Sequence, residues 1–136
     1  LSYQQQETNL VIEENDIECV PIKQVNFGTV HAVKGETHKA TLLVESEVER
    51  GFGKNRATFY DCTEIFDFLM GKYSDYNNKR EPLRGVIRDA LKTAYVALSR
   101  PTHLAVVAIS KNNFKENLEE KQKQAREAGW VVINID

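Results

Sequence analysis

Arg100 is followed at once by Pro101 and then by the apolar run Leu104 to Ile109, and a long segment of helical periodicity precedes it. An arginine at such a helix-to-strand corner can be held stiffly and aimed off the end of a sheet. Its planar guanidinium, with five donors, suits the terminal phosphate of a nucleotide, whose negative charge rises during transfer. The same position also suits an arginine that only answers the helix dipole. A second group of chemistry-bearing residues lies earlier, in Thr29-Val-His-Ala-Val-Lys-Gly-Glu36. His31 and Lys34 can contact phosphates or bases of a nucleic-acid strand, Lys34 through charge neutralisation; alternatively they are a helix-start histidine and a solvated lysine. Gly35 allows a positive φ or a close backbone approach. Glu36 can accept a hydrogen bond from a ribose hydroxyl, or simply favour a helix N-terminus. Arg50, Lys54 and Arg56 form a local basic stretch, either a DNA contact or a solvated loop.

Other chemistries find no support. His31, His38 and His103 lack any recognised ligand spacing, so no metal site is expected. Gly51-Phe-Gly-Lys54 lacks the spacing with which a phosphate loop cradles a nucleotide. Cys19 and Cys62 show no metal or redox pattern and read as reduced thiols in the cytoplasm. No Ser/His/Asp or Cys/His set is present.

The elements that must position these groups follow from hydrophobic periodicity. Residues 1–16 read as an extended entry segment, and Ile17 to Ile22 as an edge strand limited by Pro21. Gly28 to His31 reads as a strand running into a functional turn. Thr41 to Val44 is a continuous apolar run, as expected of a strand buried on both faces of a parallel sheet. Residues 46–60 read as a flexible basic loop. Cys62 to Met70 follows as a helix with Ile65, Phe66 and Leu69 inward, a Thr63 or Asp61 cap and Gly71 as its stop. Together, residues 46–80 form a loop and helix insertion.

The clearest helix carries Leu83, Val86, Ile87, Ala90, Leu91, Ala94, Tyr95 and Leu98 in one stripe, with Pro82 at its start and Pro101 beyond its end. Leu104 to Ile109 is a second buried strand. Asn113 and Glu116 suggest a capping box for a last helix ending at Gly129, and Trp130 to Ile135 a closing strand. The alternation predicts one α/β domain over residues 1–136 with a mainly parallel sheet. Both candidate sites fall at strand or helix ends, where such sheets bind ligands.

The 136 residues, 41% hydrophobic and 28% charged, are enough for one ordinary core. No apolar run approaches the ~20 residues of a membrane span. The net charge of −2 argues against a dedicated nucleic-acid-binding domain, so any such contact must come from a local patch or a surface shared with another domain. The chain opens on Leu1 and its only methionine is Met70, which reads as a piece of a longer polypeptide.

Two stretches carry a resemblance. Gly28-Thr-Val-His-Ala-Val-Lys-Gly-Glu-Thr-His-Lys-Ala-Thr-Leu-Leu-Val-Glu45 is similar to the fifth signature motif of superfamily 1 helicases of the Rep/UvrD type, a Thr-x-His-x-x-Lys-Gly core followed by a strand. Ala94-Tyr-Val-Ala-Leu-Ser-Arg-Pro-Thr-His-Leu-Ala-Val-Val-Ala108 is similar to the sixth, Tyr-Val-Ala-[Leu/Val]-[Thr/Ser]-Arg-Ala followed by a strand. The acid of the fifth motif comes one residue earlier here than in the usual Lys-Gly-Leu-Glu, and Pro101 stands where alanine is usual.

The resemblance implies the second, C-terminal RecA-like motor domain, a three-layer α/β/α fold of the P-loop NTPase type, in a 3′-to-5′ DNA helicase or translocase. It implies ATP and Mg2+ as cofactors, bound mainly by a first motor domain of the same polypeptide. Arg100 would reach the γ-phosphate, with Gly35 and Glu36 beside the nucleotide. Thr29, His31 and Lys34 would line the single-stranded DNA path, and Tyr95 would pack or position the sixth motif. Partners would be single-stranded or duplex DNA and, as in the phage-defence subgroup of UvrD-like proteins that the Lys-Gly-Glu-Thr-His variant resembles, a nuclease subunit. The piece alone would not hydrolyse ATP. The competing expectation is a helicase-like domain without motor chemistry, acting as a nucleic-acid-binding or assembly module.

Overall fold

The computed structural model describes residues 25–32 and 35–136. The expected entry segment and edge strand, Cys19 and Lys34 lie outside the described residues.

Strand β1 (His38–Val44) and strand β4 (Pro101–Ala108) pair in parallel, from Ala40 opposite Leu104 to Val44 opposite Ala108. Between them the chain makes a hairpin, β2 (Glu47–Arg50) and β3 (Ala57–Tyr60), then short helices α1 (Asp61–Glu64) and α2 (Phe66–Leu69), then the long helix α3 (Leu83–Leu98). Helix α4 (Leu118–Glu127) follows β4. This is a mixed α/β arrangement around a two-stranded parallel sheet.

Helix α3 is the spine of the core. Val86, Ile87, Ala90, Ala94 and Ala97 are all buried, at three- and four-residue steps that place them on one face. Three alanines let the helix lie close to the sheet, where it meets Leu43 of β1 and partly buried Val107 of β4. Cys62 and Ile65 fill the space beside them. Tyr95, expected in the stripe, is instead 76% exposed, because it follows Ala94 by one residue and one residue turns a helix by about 100°.

Several expectations are corrected. Gly28 to His31 is no strand: Ala32 donates to the Thr29 carbonyl at 3.0 Å, making a turn over residues 29–32. Residues 46–60 are an antiparallel hairpin rather than a loop, because Val48 and Phe59 face each other across it. The helix from Cys62 to Met70 is broken at Ile65, which leaves the helical region with ψ 12°. Strand β1 is buried on one face only: Leu43 is 7% exposed while Val44 is 58% exposed, since α3 packs on the Leu43 side.

The capping box at Asn113 and Glu116 does not form, and α4 starts later, at Leu118, without a side-chain cap. Its end is as expected. Gly129 at φ 93° donates to the Arg126 carbonyl and Trp130 to that of Ala125, a Schellman closure. The expected strand from Trp130 to Ile135 makes no strand pairing among the described residues; its first residue is anchored by Trp130 Nε1 donating to the Leu69 carbonyl at 2.9 Å.

Candidate functional site

The sheet brings the two singled-out stretches together at its amino end. His38 opens β1 and Pro101 opens β4, and the two are register partners. The His38 amide donates to the Arg100 carbonyl at 3.2 Å, and Thr102 Oγ1 donates to the His38 carbonyl at 3.3 Å. Arg100 follows the C-cap of α3, where Ser99 donates its amide to the Tyr95 carbonyl at 3.1 Å. A helix end and a strand start thus fix its backbone on both sides. The candidate groups therefore cluster at the amino ends of the strands, and not at the carboxyl ends where open α/β sheets usually bind ligands.

Side chains at this edge are left wanting partners. Among the described residues Arg100 Nε and His38 Nε2 are buried without a hydrogen-bond partner, as are Thr41 Oγ1, Gln124 Oε1 and Arg126 Nε elsewhere. The Glu36 carboxylate stands 3.7 Å from His38 Nε2 and is itself well exposed. A buried N–H without an acceptor is costly, so the Arg100 Nε–H keeps a donor in hand at this edge. Its chemistry suits an oxyanion at Arg100 and a hydroxyl donor at Glu36. Gly35, just before, holds φ 92° with open space where a Cβ would stand, so the left-handed backbone and not crowding calls for glycine.

Thr29 and His31 occupy the preceding turn, where Thr29 Oγ1 accepts from the Ala32 amide at 3.3 Å. His31 is exposed, and Val30 ties the turn to the core. The ring of Tyr95 points to solvent, so it does not pack the arginine stretch as the resemblance implied. Among the described residues, no group of three His, Cys, Asp or Glu side chains converges as a metal-holding set.

Sequence reasoning passed over two residues. His38 was weighed only as a metal ligand, although its place opening the strand beside the turn was a signal. Glu45, at the opposite end of β1, accepts from the Thr63 amide at 2.8 Å, Thr63 Oγ1 at 2.5 Å, the Ser110 amide at 3.1 Å and Asn113 Nδ2 at 2.6 Å. It thereby caps the Thr63 amide of α1, next to the expected Asp61, whose Oδ1 accepts from the Cys62 amide at 2.7 Å, and it uses the Asn113 expected in the capping box. Nothing in the spacing of Glu45, Thr63 and Asn113 announced that convergence.

Comparison with known protein families, with curated proteins and with solved structures finds no match to this chain. No described helix is long and apolar enough to cross a membrane.

Proposed function

We propose that the chain is the second, RecA-like motor domain of an ATP-driven DNA helicase or translocase of the Rep/UvrD type, acting 3′ to 5′. The observation that carries this reading is the pairing of the two motif-like stretches. They lie far apart in sequence yet start adjacent parallel strands, with Arg100 Nε, buried and unpartnered among the described residues, between a helix end and a strand start.

In this reading Arg100 meets the terminal phosphate of a nucleotide bound chiefly by a preceding motor domain, where MgATP supplies the phosphoryl group that is hydrolysed. Glu36, beside His38, accepts from the ribose. Thr29 and His31, together with Lys34, contact single-stranded DNA. The parallel pair β1 and β4 would be two strands of a larger sheet completed by the rest of the polypeptide, and a nuclease subunit would be a further partner.

The test is ATP hydrolysis by the full polypeptide with and without single-stranded DNA, alongside the 136-residue chain alone. Turnover stimulated by DNA in the former and absent in the latter supports the reading. Turnover by the isolated chain overturns it, and a full polypeptide that binds DNA without turnover transfers the assignment to a module without motor chemistry.

A further inference from the structure

The hairpin between the two motif-like stretches ends in an arrangement that neither stretch requires. At its tip Phe52 is 93% exposed. The backbone that carries it is held, because the Asn55 amide donates to the Phe52 carbonyl at 3.0 Å and the Arg56 amide to the Gly53 carbonyl at 3.2 Å. Glycines flank it at φ 101° (Gly51) and 55° (Gly53). A Cβ on Gly51 would stand 2.3 Å from the Asn55 carbonyl oxygen, so the tip tolerates only glycine there. The backbone is shaped to hold one aromatic ring in solvent.

The charge around the ring names its partner. From Arg50 to Arg56 the chain has three cations and no carboxylate, within a protein of net charge −2. Arg56 pairs with Glu49. Arg50 reaches Asp89 at 3.5 Å, a carboxylate that Arg88 also approaches at 3.4 Å, so two guanidiniums share one negative charge. Lys54 makes no ion pair among the described residues. Behind the ring an open cleft of about 460 Å³ runs between the tip and the start of α3, lined by Arg50 and Arg88 and also by the Glu81 and Asp89 carboxylates, so the unpaired charge near the ring is that of Lys54. A protein-binding hot spot sets its aromatic anchor among other apolar groups. Here the ring stands between glycines on a stretch, Arg50 to Arg56, whose own charges are all positive, the combination that stacks a base and follows its phosphates.

The geometry points to the β2–β3 hairpin as a single-stranded nucleic-acid finger: Phe52 stacks on an unpaired base while Lys54 and Arg50 meet the adjoining phosphates. This rests on the motor reading for its choice of ligand and adds a contact outside Thr29, His31 and Lys34. The ion pair to Asp89 links the finger to α3, the helix that leads directly into Arg100. The tip and Arg100 thus both bear on α3.

The test is fluorescence anisotropy of a labelled oligothymidine titrated with the full polypeptide at several salt concentrations. Phe52→Ala is expected to weaken binding about tenfold or more and Phe52→Trp to restore it. Lys54→Gln is expected to lower the salt slope by about one. Wild-type affinity in Phe52→Ala, with ordinary DNA binding by the parent, overturns the finger and leaves the motor reading standing. No DNA binding by the parent overturns both.

Discussion

The two ends of the parallel sheet are built on opposite plans. At the carboxyl end the Glu45 carboxylate accepts four hydrogen bonds, from α1, from the segment after β4 and from Asn113. At the amino end His38 Nε2 and Arg100 Nε are buried without a hydrogen-bond partner among the described residues, and Glu36 stands mostly in solvent. One end is closed by its own side chains; the other is left open. Buried polar groups are nearly always satisfied in folded proteins; open ones also occur at Thr41 Oγ1, Gln124 Oε1 and Arg126 Nε, so what sets the amino edge apart is that Arg100 and His38 share it with the exposed Glu36 carboxylate. The saturated edge holds the fold.

Substitution at each end should therefore break a different property. Arg100→Ala is expected to cut DNA-stimulated ATP turnover of the full polypeptide by ~10³-fold or more, with little change in thermal midpoint, since the guanidinium contributes no intramolecular hydrogen bond at Nε. Arg100→Lys should recover little, because an ammonium lacks the planar fork. Steady-state turnover and a calorimetric melt on the same preparations read both halves. A variant that melts early while keeping its turnover would reverse the assignment of the two ends.

Glu45→Ala should do the converse, lowering stability by about 2–3 kcal/mol as four donors lose a charged acceptor, without touching the amino edge. Cys62 offers a local reading of that loss. Its thiol is 2% exposed on α1, and burial first, then the neighbouring Asp61 carboxylate, pushes its pKa far up. Thiolate, the reactive form, is therefore scarce in the fold, and alkylation must wait for α1 to open. Mass-spectrometric mapping of iodoacetamide labelling should show Cys62 protected in the wild type and modified roughly tenfold faster or more in Glu45→Ala. Equal rates would mean that Glu45 is not what holds α1 down.

The contrast between the ends also separates what the sequence could disclose from what it could not. Helix α3 and the parallel strands were legible because Val86, Ile87, Ala90 and Ala94 repeat at helical steps, and because Leu42-Leu43-Val44 and Val106-Val107 are unbroken apolar runs. Those signals are local. The open edge was legible in part: Arg100, Gly35 and Glu36 stood out by type and neighbours, whereas the unpartnered state of His38 depends on a strand that begins far away in the chain. The Glu45 clasp was illegible, since its four donors come from residues that only the tertiary fold gathers. The hairpin was misread as a loop because its glycines and charges lie at the tip, while the pairing of Val48 with Phe59 that defines it is only four rungs long. The expected last strand failed for a related reason: Trp130 to Ile135 has the right composition, but the chain is held there by side-chain bonds and not by a ladder.

A smaller effect sharpens the comparison from within α1. Glu64 lies on the same short helix that Glu45 caps, but it is a carboxylate that burial penalises: desolvation holds its pKa above the ordinary glutamate value, only partly offset by Lys79. A carboxyl that binds its proton more tightly in the folded state stabilises the fold as pH falls through the window just above the unfolded pKa, and loses that contribution as pH rises. Glu81 and Asp136 have the opposite sign, held low by hydrogen bonds from Arg84 and Lys111 respectively; any stability they contribute is present above the unfolded pKa and fades as pH falls. Glu64→Gln removes the buried charge while keeping the shape, so the urea midpoint should rise slightly near neutral pH, by less than about 0.5 kcal/mol in stability. The gain should vanish as the pH approaches the carboxylate range, where the wild-type side chain is itself protonated. Measuring both variants across pH makes the distinction plain: Glu64→Gln gains at neutral pH and Glu45→Ala loses there, although both remove a carboxylate within reach of the same helix. A Glu64→Gln protein that loses stability at neutral pH would mean that its charge, like that of Glu45, is answered by donors in the fold.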